Sequence, residues 1–449
     1  MAEDTVFWGR ELGGSGKWDK GADVCVTLAD EKLLGCKGVP PYKPSLIEHR
    51  CSGNGYFPDS DFSLERQGGC VCGACFAGDS CEIELPFDDE GCEVYPDDPE
   101  MRFYREWYDM HPEAISIFYP SYGMEYRQVI NVASSSNPLS AALYNAIRAV
   151  HEAVGNVDFS DDYQVIVGMG AHQVVAAAIN ALSRNGHKTV VAQIPHWSRF
   201  KDMSVNANTM NATWWDRNED LVPENEEAII EIVTQPNNPD NKYPKPRFDG
   251  STKIHDFVYF WPNQQHPDKI KPRSEDIMVY SMSKIGSMPD VRIGWAFVKD
   301  KAIADLMKKY ISGISVGPPG PSLLRTVKIL QAVLSSSNDG DNEFFQFGYK
   351  KLADRFEIMK ALIEESEGKF SLVSEFGVFF MIKCNEFDGE EDAEISCQNM
   401  FHDAGIKPRL GSRYGYQESE SIIMTCIGDS DHDFGIFRSK FEHLAMPEK

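Results

Sequence analysis

VYSMSKIGSMPDVRIGW, residues 279–295, opens on an apolar strand-like run and closes it on a lysine set among hydroxyls. Ser281 and Ser283 flank Lys284, Arg292 follows eight residues on, and Gly294 comes next. A lysine ending a buried strand can bond covalently to a carbonyl cofactor, while hydroxyls and an arginine bind that cofactor's phosphate. A solvated lysine at a strand end would show the same residues, so the stretch needs support from elsewhere in the chain.

Three upstream segments supply it. VIVGMGAHQ (165–173) reads as strand, glycine turn and helix start. Gly168 and Gly170 there allow close approach of backbone amides to an anion at a helix N-terminus, although a βα turn that merely needs glycine fits too. In TQPNNPDN (234–241) a strand ends at Asn238–Pro239, and in KIHDFVYFWP (253–262) Asp256 and Tyr259 sit three apart in an apolar run. An amide and a phenol can hold a ring oxygen, and a carboxylate can pair with a pyridinium nitrogen. Singly, Asn-Pro is a turn former and Asp256 a satisfied buried acid. The order glycine loop, Asn-Pro, Asp…Tyr, Ser-x-Ser-Lys…Arg is that of fold-type I enzymes dependent on pyridoxal 5'-phosphate.

The surrounding pattern agrees. Strand-like runs at 163–168, 188–194, 228–233 and 277–282 alternate with helical spacing at 139–155 and 172–183, which predicts an α/β domain with a large parallel or mixed sheet. After Lys301 the spacing is mostly helical, with strands near 378–383 and 422–427, as in a smaller α+β C-terminal domain. The expected division is an N-terminal segment 1–50, a cysteine module 51–93, a large domain 94–310 with an N-terminal arm, and a small domain 311–449.

The 449 residues carry 44 Lys+Arg against 69 Asp+Glu, a net charge of −25. That surplus repels nucleic acid and anionic lipid. The longest apolar stretch, near Val174–Leu182, is far short of a membrane span. Eight of the 11 cysteines fall between Cys25 and Cys92. Such density in a loop-rich stretch with little aliphatic periodicity reads as a disulfide-stapled module and an oxidising compartment. The opening MAEDTVFWGR has no apolar signal-peptide core, so the expectation is a mature or trimmed form, with an unusual cytosolic protein as the alternative. CxCxxC also fits a zinc site, but no metal is expected.

The chain resembles the alliinase family, the plant-type cysteine sulfoxide lyases, together with their tryptophan aminotransferase relatives. The resemblance covers roughly residues 51–449 and rests on CSGNG (51–55), CVCGACFAGDSC (70–81), HEAVGN (151–156), TQPNNP (234–239), HDFVYFWP (255–262), SMSK (281–284) with RIGWAFVKD (292–300), and FGYKKLADRF (347–356). It implies a fold-type I, aminotransferase-like architecture with Lys284 as the catalytic, cofactor-linking lysine. Gly168, Met169, Gly170, Ala171, Ser281, Ser283 and Arg292 would surround the phosphate. Asp256 would protonate the pyridine nitrogen, Asn238 and Tyr259 would hold the ring oxygen, and Trp197 would stack on the ring where the family has tyrosine. Tyr126 would reach the phosphate of a neighbouring subunit, which implies a homodimer with interface active sites. Six cysteines allow 15 pairings; the resemblance to an EGF-like module selects Cys51–Cys70, Cys72–Cys81 and Cys75–Cys92. It also implies Cys384–Cys397. Cys25 and Cys36 form a further candidate pair, Cys426 is expected as a free buried thiol, and Asn211 heads the glycosylation sequon. The implied location is the secretory pathway, vacuolar or extracellular.

The resemblance breaks at the substrate wall. The family binds the substrate α-carboxylate with an arginine on a late strand of pattern VRLSLI; here SIIMTCI (421–427) puts Ile423 in its place. The opposite wall, Ser-Gly or Gly-Asp-Pro in the family, is Asp97-Asp98-Pro99. Losing a guanidinium beside a carboxylate costs about 1.5–3 kcal/mol. Either another arginine substitutes, Arg413 ahead of Arg409, or the substrate is no ordinary α-amino acid. Asp98 would repel a carboxylate and favour an amine. The leading activity is β-elimination on an S-substituted cysteine or its sulfoxide, the EGF-like module favouring the lyase. An aminotransferase acting on an amino acid or related amine is the alternative, and an inactive secreted binding protein the third reading.

Overall fold

A computed structural model describes residues 51–446 apart from 53, 57–69, 118–128, 134–137, 185, 187, 207–211, 215–224 and 339–340. Cys25, Cys36, Tyr126 and Asn211 lie outside the described residues. Among the described residues, α1 (Tyr104–Met110), a single turn at Pro112–Ile115 and α2 (Pro138–Val154) precede the large sheet. In α2 the 3.6-residue spacing of Leu143, Ile147 and Val150 puts all three in the core.

There follow β1 (Gln164–Met169), α3 (Gly170–Leu182), β2 (Lys188–Ala192), β3 (Ala212–Trp214), β4 (Ile229–Thr234), β5 (Thr252–Asp256), β6 (Ile277–Ser281), the single turn α4 (Met282–Ile285) and β7 (Ile293–Val298). They make a seven-stranded sheet of order β1-β7-β6-β5-β4-β2-β3. Strands β6, β5, β4, β2 and β3 are mutually parallel, whereas β7 runs antiparallel to both β6 and β1. Both faces are covered. Successive side chains go to opposite sides, so Met278, Tyr280, Trp295 and Phe297 enter one core while Ile277, Val279, Ala296 and Val298 enter the other. Next come α5 (Lys301–Ser315), which packs with α3, and α6 (Gly320–Ser335), which packs with α2.

The C-terminal part contains α7 (Glu343–Glu365), β8 (Phe370–Leu372), β9 (Phe379–Cys384), α8 (Ala393–Asp403), β10 (Arg409–Leu410), β11 (Ile422–Cys426) and α9 (Asp431–Ala445). Its sheet is antiparallel, of order β8-β9-β11-β10. A Cys384–Cys397 disulfide clamps the end of β9 to α8, and Cys426 is free and buried.

The cysteine module carries the three bridges implied by the resemblance, Cys51–Cys70, Cys72–Cys81 and Cys75–Cys92. It docks on α9: Ala74 N donates to Asp433 Oδ1 at 2.8 Å, and Lys440 Nζ donates to the Phe87 carbonyl at 2.9 Å.

Candidate active site

Ligands of open α/β sheets bind beyond the carboxyl ends of the strands, and the loops leaving β1, β4, β5 and β6 meet there around a cavity of about 290 Å³. Although the chain as a whole is strongly acidic, the lining includes Arg199, Lys284, Arg292 and Arg409. Asp98, Glu100 and Asp256 line it too, so the cavity sets cations and carboxyls against each other.

Ala171, His172, Ser281, Ser283 and Arg292 line one end. Two glycines create it. Gly170 has φ +75°, and a Cβ there would lie 2.6 Å from an Arg292 terminal nitrogen. A Cβ on Gly294 would lie 2.3 Å from Ala171 N, so only glycine lets β7 run beneath the start of α3. Ser281 Oγ accepts from Ser283 N at 3.2 Å and caps α4, turning the chain sharply after β6. Gly168 and Met169, read from sequence as part of this cup, lie on β1 beside β7 and are not among the lining residues. His172 was not foreseen. Its imidazole is held below the usual range by burial and by the nearby Arg292 and Arg199, and it meets the Trp197 ring edge-on with centroids 5.8 Å apart.

In the middle of the cavity stand the groups expected to face a ring. Asp256 ends β5; burial raises its carboxyl to about 7, partly offset by a 3.2 Å hydrogen bond from Val258 N. Asn238 Nδ2 donates to Tyr259 Oη at 3.4 Å, while Asn238 Oδ1 is buried without a partner. Buried polar atoms are normally satisfied, so this carbonyl is built to receive a donor. Trp197 also lines the cavity.

Lys284 sits on α4, its carbonyl accepting from Gln264 Nε2 at 2.7 Å. Its Nζ donates to Glu100 Oε1 at 2.9 Å and lies 5.3 Å from the Tyr259 ring centre. Glu100 was missing from the sequence reading because nothing local marks it; the contact spans 184 residues. Asp98 lines the same cavity. Arg409 and Tyr414 complete it. Arg409 stands on β10 opposite Met424, one register step from the Leu410–Ile423 pair, and its Nε donates to Asp97 Oδ2 at 2.9 Å. The order Arg413 before Arg409 is thereby reversed, since Arg413 does not line the cavity. Ile423 is fully buried in β11.

The allinase family model matches residues 96–445. The chain belongs to the allinase family. Tryptophan aminotransferase-related protein 3 of Arabidopsis thaliana is 30% identical over 409 residues, 86% of this chain and 85% of the relative. Alliin lyase 1 of Allium sativum is 28% identical over 392 residues, 81% of this chain and 77% of the relative. An aminotransferase from Staphylococcus aureus superposes with TM-score 0.59 at 15% identity, over 86% of this chain and 97% of that one. Aspartate aminotransferase from Thermus thermophilus gives 0.56 at 14%, over 78% and 91%. The fold is thus fold-type I, and the cofactor of this member of the family is pyridoxal 5'-phosphate. The residues present fit it: a lysine amine, a buried carboxyl, an amide N–H beside a phenol hydroxyl, and a hydroxyl–arginine cup lie around one cavity.

Proposed function

We propose that this pyridoxal phosphate-dependent enzyme is a carbon–sulfur lyase of alliinase type, which removes the β-substituent from an S-substituted cysteine or its sulfoxide. The observation that carries the reading is Lys284 at the end of β6, facing Asp256 and the Asn238–Tyr259 pair across one cavity. Bound pyridoxal phosphate supplies an electron sink for the carbanion at the substrate α-carbon. Lys284 anchors the cofactor, then takes the α-proton on its freed amine. Asp256 keeps a proton on the pyridine nitrogen. Asn238 and Tyr259 hold the ring oxygen, Trp197 covers the ring, and Ser281, Ser283, Arg292 and the amides at the start of α3 hold the phosphate. Arg409 takes the substrate carboxylate from the strand next to the one on which the family carries that arginine.

Elimination, unlike amino transfer, needs an acid for the departing sulfur. Asp98 supports the lyase on this count, because burial and the neighbouring Glu100 raise its carboxyl to about 7. The aminotransferase is the second reading, favoured by the aminotransferase-related relative. An inactive binding protein would have no use for Lys284 among this set. The enzyme is read as a homodimer in which Tyr126 reaches the partner's phosphate. Its disulfides support an oxidising compartment, read as the secretory pathway, vacuolar or extracellular. Among the described residues no helix is long and apolar enough to cross a membrane. Incubation with cysteine sulfoxides, other amino acids and amines decides the chemistry: pyruvate with ammonia marks the lyase, whereas transfer of the amino group to an added 2-oxo acid marks the aminotransferase.

A further inference from the structure

We propose that Glu100 is the built-in counter-charge of Lys284, and that Glu100 and Asp98 together set how firmly the Lys284 nitrogen holds its proton once joined to the cofactor. The inference rests on the reading of Lys284 as the linking lysine.

Geometry carries it. The 2.9 Å contact from Lys284 Nζ to Glu100 Oε1 joins two side chains that are only 12% and 15% exposed, so solvent screens it little. The carboxylate has no freedom to drift, because its backbone is fixed on both sides. Met101 N donates to Ser287 Oγ at 2.8 Å, three residues beyond Lys284. On the other side Gly428 packs so closely that a Cβ there would lie 2.5 Å from the Glu100 carbonyl. Arg102, two residues after Glu100, is held by Asp429 at 2.6 Å and by Asp98 at 3.2 Å. The segment Asp98–Arg102 is therefore locked between the lysine turn and the small domain.

The second observation is Glu100 Oε2, which is buried away from every amide, hydroxyl and cation donor. The neighbouring acid is Asp98, whose carboxyl, when protonated, hydrogen-bonds to Glu100. Burial works to raise Glu100, but the Lys284 ammonium, a hydrogen bond from Asp98 and the Arg102 guanidinium together outweigh it and leave Glu100 at about 2, while burial and Glu100 raise Asp98 to about 7. The charged groups facing the pair are Lys284 from the turn after β6 and Arg102 from the segment before α1, with Asp429 behind Arg102. Tyr259 and Cys426, also close, are held neutral by burial. Below neutrality the pair carries one negative charge, on Glu100; above it Asp98 ionises and adds a second. Negative charge beside a nitrogen favours its protonated form. The pair thus keeps the linked nitrogen protonated, the form open to attack by a substrate amine, and holds it so more firmly as pH rises.

The test is a pH titration, followed by visible absorbance, of the lysine–cofactor link in purified holoenzyme. Glu100→Gln is expected to lower the titration midpoint by at least ~1 pH unit, a tenfold loss of proton affinity. Asp98→Asn should lower it by a smaller amount and remove curvature near neutral pH. Glu100→Asp, which keeps the charge, should stay above Glu100→Gln. A Glu100→Gln midpoint within about 0.3 unit of wild type, at normal cofactor content, overturns the inference. If Glu100→Gln does not accumulate, a wild-type midpoint with unchanged curvature near neutral pH in Asp98→Asn overturns it equally. Wild-type protein that forms no absorbing link at all would instead remove the reading of Lys284, and this inference with it.

Discussion

Asp256→Asn is the perturbation with the sharpest expected signature. In the cofactor-free protein burial holds the Asp256 carboxyl at about 7, against an ordinary 3.8. A raised carboxyl contributes stability that is fully present below the unfolded value and is lost as pH rises through the folded one. Folded and unfolded states therefore diverge in proton binding between about pH 4 and pH 7. Integrated between pH 5 and pH 8, the loss is roughly 2–3 kcal/mol of unfolding free energy. The amide cannot ionise, so that component vanishes in Asp256→Asn. Asp98 and Asp429 are raised in the same direction, to about 7 and about 6; they remain in both proteins and cancel in the difference. The assay is urea unfolding of cofactor-free wild type and variant, disulfides intact, at the two pH values. The wild type should lose roughly 2–3 kcal/mol more than the variant on going to pH 8. Cofactor binding should reverse the effect, because a protonated ring nitrogen against Asp256 favours the ionised carboxylate. Equal pH slopes for both proteins, within about 0.5 kcal/mol, would refute the account of a strained, cofactor-ready acid.

Lys284→Ala is expected to abolish the covalent link: borohydride-treated wild type gains the mass of the cofactor and the variant does not. Arg409→Ala should raise KM for an amino-acid substrate roughly 10- to 150-fold, the equivalent of one charge-assisted contact of 1.5–3 kcal/mol; steady-state kinetics should leave Arg413→Ala near wild type, and the reverse pattern would restore Arg413. Mild reduction followed by peptide mapping should open Cys72–Cys81 before the fully buried Cys384–Cys397 bridge. Each bridge should be worth about 3 kcal/mol by loop-closure entropy.

Sequence by itself determined what is encoded locally. The residues proposed for the ring and phosphate stand at or just beyond strand ends, where an apolar run followed by a polar motif is visible without knowing what packs beside it; hence Asn238, Asp256, Tyr259, Ser281, Ser283, Lys284 and Arg292 were legible, and all line one cavity. The strands at Gln164, Lys188, Ile229 and Ile277 and the helices α2 and α3 were legible for the same reason, and family resemblance supplied the cysteine pairings. Other features only the tertiary structure decided. The run Ile293–Val298 attracted notice for the arginine before it, and its role as an antiparallel strand between β1 and β6 appears only once the sheet is assembled. Gly168 and Met169 belong to a glycine motif, yet the register with β7 keeps them on the strand and leaves Ala171 and His172 to face the cavity. Arg409 comes to the cavity wall from the strand beside Ile423, a placement set by the pairing of β10 with β11 and not by the order of residues along either. Glu100 meets Lys284 across 184 residues because Ser287 and Gly428 pin its backbone from two directions. Contacts of that kind depend on where separate elements come to rest against each other, and the chain between them carries no period or motif that records it.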